Sequence, residues 1–266
     1  EYGCQGVELV LNDETPDGST PMEYAKALCA HAKEQGLEVP IYTTGANFFV
    51  KEPEKELERL CRHIDIAAEC KIPLLRHDVA WGYYEGYTGI KSYKKVIEAV
   101  APLVRQTAEY ARERGVKTCS ENHGYLLQDS VRMLELFAAV DHPNYGFLCD
   151  MGNFTVVDED CATAVSALSD YIVHVHAKDM LVRSGMNFDP GRGYNLSRGG
   201  NYWRGTIFGH GNVPTFQILS AIRKSGYDGY VSLEFEGMEP VLEGVEIGTQ
   251  NLQHMIEVIG EGQRYV

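Results

Sequence analysis

His174-Val175-His176-Ala177-Lys178-Asp179 carries the clearest strand pattern in the chain. Val173, Val175 and Ala177 alternate with His174, His176 and Lys178, the period of a strand with one apolar and one polar face. A buried polar strand residue is costly unless it is paired or ligates something. Three further segments run in the same way into residues that can bind a metal. They are Ser120-Glu121-Asn122-His123, Cys149-Asp150-Met151-Gly152-Asn153 and Ser232-Leu233-Glu234-Phe235-Glu236. In the last, Val231, Leu233 and Phe235 share one face, with Ser232, Glu234 and Glu236 on the other. Four such ends, far apart in sequence, imply one site at the C-terminal ends of parallel strands, where β/α barrels keep their chemistry.

Outward from these ends, strand-like and helix-like segments alternate along the whole chain. Strands are predicted at Gly6–Leu11, Val39–Thr44, Ile72–His77, Lys117–Glu121, Tyr145–Asp150, Tyr171–Lys178 and Gly229–Phe235. Amphipathic stretches lie between them: Pro21–Glu34, Glu54–Glu69, Ser92–Arg114, Ser130–Ala139, Ala162–Leu168 and Thr215–Lys224. Within Glu54–Glu69, Leu57, Leu60, Cys61, Ile64 and Ala67 recur at helical spacing. Glycines stop helices at Arg114-Gly115-Val116 and Ser225-Gly226-Tyr227. With no linker and no break in composition, residues 1–266 read as a single domain.

Strict alternation argues for a parallel sheet, and no glycine-rich phosphate loop follows an early strand to favour a nucleotide-binding fold. The expected fold is α/β, a (β/α)8 TIM barrel. Seven strands are found where such a barrel has eight, so the first β/α unit is expected upstream of Glu1. A formal net charge of −14 argues against a nucleic-acid partner. No apolar run is long enough to span a bilayer. Seven scattered cysteines without a CxxC read as reduced thiols, and a cytoplasmic location is expected.

In a barrel the apolar strand face meets the helices and the polar face points inward. Two glutamates, an aspartate and a histidine gathered there would repel or go unpaired without a cation. Carboxylates with one imidazole favour Mn²⁺, with Mg²⁺, Co²⁺ or Zn²⁺ open. The lack of cysteine in the set argues against structural zinc. Cys119 and Cys149 read as packing residues, and His174, one layer deeper than His176, as a hydrogen-bonded core histidine.

At these residues the chain resembles the sugar phosphate isomerase/epimerase family, the xylose isomerase-like barrels. The resemblance runs from Gly6-Val7-Glu8-Leu9 through Glu121-Asn122-His123-Gly124, Asp150-Met151-Gly152-Asn153 and His176-Ala177-Lys178-Asp179 to Gly229-Tyr230-Val231-Ser232-Leu233-Glu234. It implies Glu121, Asp150, His176 and Glu234 as metal ligands, with Glu121 and Glu234 doubling as the catalytic acid/base pair. It also implies an isomerase or epimerase of a sugar or sugar phosphate working through an enediolate. The alternative is a lyase on an oxidised sugar, a keto-inositol dehydratase or a 3-keto-glycoside deglycosidase.

His123 lies two residues beyond Glu121 on the same face, as a base, a hydroxyl-binding group or support for the ligands. Asn153 and Lys178 stand just past their ligands as candidates for substrate oxygens, and the lysine alternatively pairs with Asp179 or a nearby carboxylate. The loop Arg192–His210 carries Trp203 and Arg204 as a candidate clamp for a sugar or phosphate, and His210 as a closing group. An oligomer contact is the other reading of that loop. Arg76, His77 and Asp78 end another strand and are candidate pocket residues. A small carbohydrate substrate and a homo-oligomer complete the expectations.

Overall fold

Thr20 starts the first helix by a reciprocal cap. Its hydroxyl accepts the Glu23 N–H at 3.3 Å while the Glu23 carboxylate accepts the Thr20 N–H at 3.0 Å. Pro21 takes the first helical position, where a missing N–H costs nothing. A computed structural model describes residues 2–260. In chain order the elements are β1 (Leu9–Val10), α1 (Pro21–Glu34), β2 (Tyr42–Thr44), α2 (Pro53–Glu69), β3 (Leu74–His77), α3 (Tyr93–Arg112), β4 (Lys117–Glu121), α4 (Ser130–Val140) and β5 (Tyr145–Asp150). Then follow α5 (Cys161–Leu168), β6 (Ile172–Ala177), β7 (Asp179–Arg183), β8 (Asn195–Leu196), β9 (Tyr202–Thr206), α6 (Thr215–Lys224), β10 (Val231–Leu233) and α7 (Val241–Gly260). Seven strands form one sheet in the order β1-β2-β3-β4-β5-β6-β10. Gly115 and Gly226 end α3 and α6 at φ of 71° and 92°, the left-handed conformation that the helix-stop reading requires.

The chain packs as two compact units that interleave in sequence. The N-terminal unit holds residues 3–127 and 131–147, and the C-terminal unit residues 2, 128–130 and 148–260. In the N-terminal unit, β1, β2, β3 and β4 pair in parallel. Leu60, Ile64 and Ala67 of α2 are fully buried, as are Val96, Val100, Val104, Ala108 and Ala111 of α3. Each Val or Leu buried in this way contributes roughly 1.5–3 kcal/mol. β1 and β2 are shorter than Gly6–Leu11 and Val39–Thr44. Pro40 has no N–H to give a ladder, so Gly6 and Glu38 meet only as an isolated bridge.

In the C-terminal unit, β6 pairs in parallel with β10. Val165 and Leu168 of α5 and Ile218, Leu219 and Ile222 of α6 are buried. Two features depart from the sequence reading. The segment read as the loop Arg192–His210 contains β8 and β9, which with β7 form a three-stranded antiparallel sheet in the order β7-β9-β8. The second departure is α7, a twenty-residue helix absent from the predicted segments. Its Gly244 and Gly248 break an apolar helical pattern, yet both are there for close approach. A Cβ at Gly244 would strike the Phe235 ring, and one at Gly248 would press the Leu233 methyls at 3.2 Å. Phe235 and Leu233 therefore face α7, and Glu234 between them faces away, as strand alternation requires. Among the described residues no helix is long and apolar enough to cross a membrane.

Candidate active site

The register of β6 against β10 sets His176 opposite Ser232 and Ala177 opposite Leu233. Glu234 continues that line. Its N–H donates to the Ala177 carbonyl at 3.1 Å, and its Oε2 lies 2.9 Å from His176 Nδ1. Asp150, fully buried at the end of β5, accepts the N–H groups of Gly152 and Asn153 on Oδ1, both at 2.8 Å. Its Oδ2 lies 3.2 Å from Lys178 Nζ. Asp150, His176 and Glu234 each offer one ligand atom, and these atoms lie within 4.8 Å of one another. Bond lengths of about 2.0–2.2 Å to one divalent ion set ligand atoms roughly 3–4.4 Å apart, so the donor set and its spacing fit such an ion. His174, one layer deeper, hydrogen-bonds Ser232 Oγ through Nε2 at 3.0 Å, as a core histidine should.

Lys178 is buried within this group. Its Nζ lies 3.1 Å from Glu234 Oε2, 3.2 Å from Glu236 Oε2 and 3.4 Å from Asn153 Oδ1, besides Asp150. Burial pushes the Glu234 carboxyl up, but the hydrogen bond from His176 and the charge of Lys178 outweigh it and hold it well below the usual carboxylate range. Asp179, the neighbour that Lys178 leaves alone, has a different task. Its Oδ1 accepts the Met180 and Val213 N–H groups at 2.8 and 3.1 Å, and its Oδ2 those of Gly209 and Gly211 at 3.0 and 2.7 Å. One carboxylate thus clasps the turn that follows β9.

The N-terminal unit carries the second group of polar strand ends. Arg76 Nη2 lies 2.8 Å from both Glu121 Oε2 and Asp78 Oδ1. Asp78 Oδ1 also accepts from His123 Nδ1 at 3.1 Å. Glu121, Arg76, Asp78 and His123 thus form one connected chain. The Asp78 hydrogen bond raises the His123 pKa against the opposing effect of burial. Trp81 stands edge-on to the His123 ring at 5.4 Å, its N–H held by the Ala46 carbonyl at 2.9 Å while 53% of the residue stays exposed. The strand-end readings contained Arg76 and Asp78 but not this chain. They missed Trp81, whose one signal was an aromatic a few residues past a strand end.

The remaining candidates are placed as follows. His77 is fully enclosed between Phe48 and Tyr145, with Nδ1 2.8 Å from the Asp78 carbonyl oxygen. Burial pushes its pKa down to about 4. Asn153 is buried, its carbonyl accepting from Gln128 Nε2 at 2.7 Å. Trp203 and Arg204 are neighbours on β9 and so point to opposite faces. The Trp203 indole N–H is buried with no partner among the described residues. Arg204 turns to Glu239 Oε1 at 3.4 Å and to the Tyr194 ring, and Thr206 shares the same carboxylate oxygen at 3.0 Å. His210 is exposed on the turn clasped by Asp179.

A family model for the xylose isomerase-like TIM barrel matches residues 1–259. The inosose dehydratase of Lacticaseibacillus casei is 28% identical over 142 residues, which is 52% of this chain and 47% of that protein. The chain spans about half the length of the curated relatives it matches. A xylose isomerase domain protein from Planctomyces limnophilus superposes with a TM-score of 0.75 at 16% identity, covering 98% of this chain and 91% of that one. A D-tagatose 3-epimerase-like protein superposes with a TM-score of 0.72 at 19% identity, covering 97% and 90%. The seven parallel strands, their polar C-terminal ends and the match over 259 residues agree: this chain belongs to the xylose isomerase-like TIM-barrel family.

Proposed function

We propose that this protein is a divalent-metal-dependent carbohydrate enzyme that breaks a C–H bond beside a carbonyl, and that it uses the resulting enolate as a lyase. Asp150, His176 and Glu234 are the proposed ligands in the C-terminal unit, and Glu121 of the N-terminal unit is the proposed fourth. The spacing of the first three supports the assignment. The likeness of Glu121-Asn122-His123-Gly124 to the family's ligand motif supports the fourth. We read residues 1–266 as one barrel domain, because the family match runs over 1–259. Manganese is the proposed ion, and seven cysteines held as thiols accord with the proposed cytoplasmic setting.

The observation that carries the lyase reading is the Asp78–His123 pair. An acid–base histidine held by a carboxylate is not needed where two ligand carboxylates exchange the proton across a substrate. It is needed where a hydroxyl or a glycosidic oxygen must leave. A bound divalent ion would supply positive charge for the enolate oxygen. His123 then takes the proton α to the carbonyl and delivers it to the departing oxygen. Asp78 fixes the ring and steadies its charged form, as Arg76 in turn fixes Asp78. Asn153, the Trp203 N–H and Arg204 are the proposed contacts for substrate hydroxyls. Inosose dehydratase among the relatives is consistent with this chemistry.

The second reading is an isomerase or epimerase in which Glu121 and Glu234 exchange the proton. It is favoured by the pairing of two glutamates in the proposed ligand set and by the epimerase-like neighbour. One experiment separates them: incubation with Mn²⁺ in D₂O over ketoses, keto-inositols and 3-keto-glycosides, read by mass spectrometry. The lyase reading expects loss of water or release of an aglycone, with no deuterium in recovered substrate. Deuterium in recovered ketose without elimination overturns it in favour of the epimerase.

A further inference from the structure

Lys178 is the cation at the centre of the C-terminal unit's strand ends, and its surroundings are built for it. It is 3% exposed, and its ammonium reaches the carboxylates of Asp150, Glu234 and Glu236 at 3.1–3.2 Å and the Asn153 amide oxygen at 3.4 Å. Gly152 makes room for the stem: a Cβ there would lie 3.1 Å from Lys178 Cγ and 3.0 Å from its carbonyl oxygen. A lysine this deeply enclosed is rare unless it is paired. Here one ammonium is shared by three carboxylates, a donor-rich group to which a divalent ion is a matching complement.

We propose that Lys178 is the resident counter-cation of the metal site, holding Asp150 and Glu234 together in the metal-free protein and setting how tightly the ion binds. This rests on the metal reading given above. Lys178 and the ion share the same carboxylates, so they stabilise the cluster jointly and repel one another at close range. Removing the lysine makes the metal-free protein bring three carboxylates together without the ammonium they share. The same removal takes away a positive charge beside the ion. The proposal therefore demands effects of opposite sign: a weaker metal-free fold and tighter metal binding. Glu236 sits on the outer side of the lysine, half-exposed. Its loss should act in reverse, leaving the metal-free fold nearly intact and loosening the ion.

The test is titration calorimetry with Mn²⁺ together with melting of metal-free and metal-loaded protein, for wild type, Lys178→Met and Glu236→Gln. For Lys178→Met the expectation is a metal-free melting temperature at least 8 °C lower, recovery of most of that loss on adding Mn²⁺, and at least tenfold tighter binding. A Lys178→Met protein that folds only when refolded with Mn²⁺ supports the proposal in the same way. For Glu236→Gln the expectation is a change under 2 °C and binding several-fold weaker. Equal losses of melting temperature with and without Mn²⁺, or an unchanged Mn²⁺ affinity in Lys178→Met, overturn the counter-cation role and leave the metal site standing. Absence of Mn²⁺ binding in every protein, wild type included, overturns the metal reading and the proposal with it.

Discussion

The two groups of polar strand ends differ in how their charges are met. In the N-terminal unit Arg76 faces Glu121 and Asp78, and Asp78 holds His123, so each carboxylate already has a cationic or proton-bearing neighbour. In the C-terminal unit three carboxylates, Asp150, Glu234 and Glu236, share Lys178, and His176 also meets Glu234. Both groups end parallel strands of the same sheet, and only charge balance separates them. In the proposed reading the first positions and moves a proton and the second holds a cation. A sheet whose strands finish in carboxylates does not by itself say which of these it does. The neighbouring side chains decide.

The contrast breaks most sharply under substitution of a proposed ligand. Glu234→Gln should lower Mn²⁺ affinity at least a hundredfold and turnover by about a thousandfold or more, checked by calorimetry and steady-state rates. Retention of both would mean that the shared carboxylates of the C-terminal unit hold no metal. His123→Gln comes next, with turnover down about 10²–10⁴-fold and Mn²⁺ affinity unchanged within a factor of three. A large change in affinity would place His123 among the ligands and erase the division of labour.

A smaller effect tests the enclosed His77. Its pKa is about 4 in the folded protein against an unfolded value of 6.5, so the unfolded chain binds the proton more readily between these limits. The stability due to the neutral ring is complete above about pH 6.5 and is lost as pH falls toward 4, by about 3 kcal/mol in all. Chemical denaturation of wild type and His77→Gln across this range should show the difference between them shrinking as pH falls. A constant difference would show that the ring does not titrate in this way. The smallest expected effect is at Trp81. Trp81→Ala should raise KM about five- to tenfold with turnover within a factor of three, as loss of a stacking face next to His123 would give. Loss of turnover with KM unchanged would instead make the indole a positioning group for His123.

How much of this was legible in the sequence follows from what each feature depends on. The parallel strands were readable because His174, His176, Lys178 and Glu234 stand out against alternating apolar neighbours. The core role of His174 followed from its depth along the strand, and its bond to Ser232 agrees. The chain Glu121–Arg76–Asp78–His123 was not readable, because it joins residues 45 positions apart through the ends of β3 and β4, which only the folded sheet aligns. Strands β8 and β9 were missed because Asn195–Leu196 has two residues and Gly199-Gly200 precedes Tyr202. α7 was hidden by Gly244 and Gly248, which lower local helix propensity and are tolerated because Phe235 and Leu233 fill the space above them. Lys178 was noticed, but its choice between Asp179 and other carboxylates needed coordinates.

The Asp179 clasp has a consequence for how this family member can diversify. Four main-chain amides depend on one carboxylate, and a side chain at Gly211 would collide with it, so Asp179 and Gly211 cannot change independently. Between β7 and β8, residues 184–194 run through a tip where Met186 and Phe188 stand almost wholly in solvent. Insertions, deletions and swapped side chains are absorbed there without disturbing the pinned turn. The excursion can therefore be rewritten in length and side chains while its base keeps its shape.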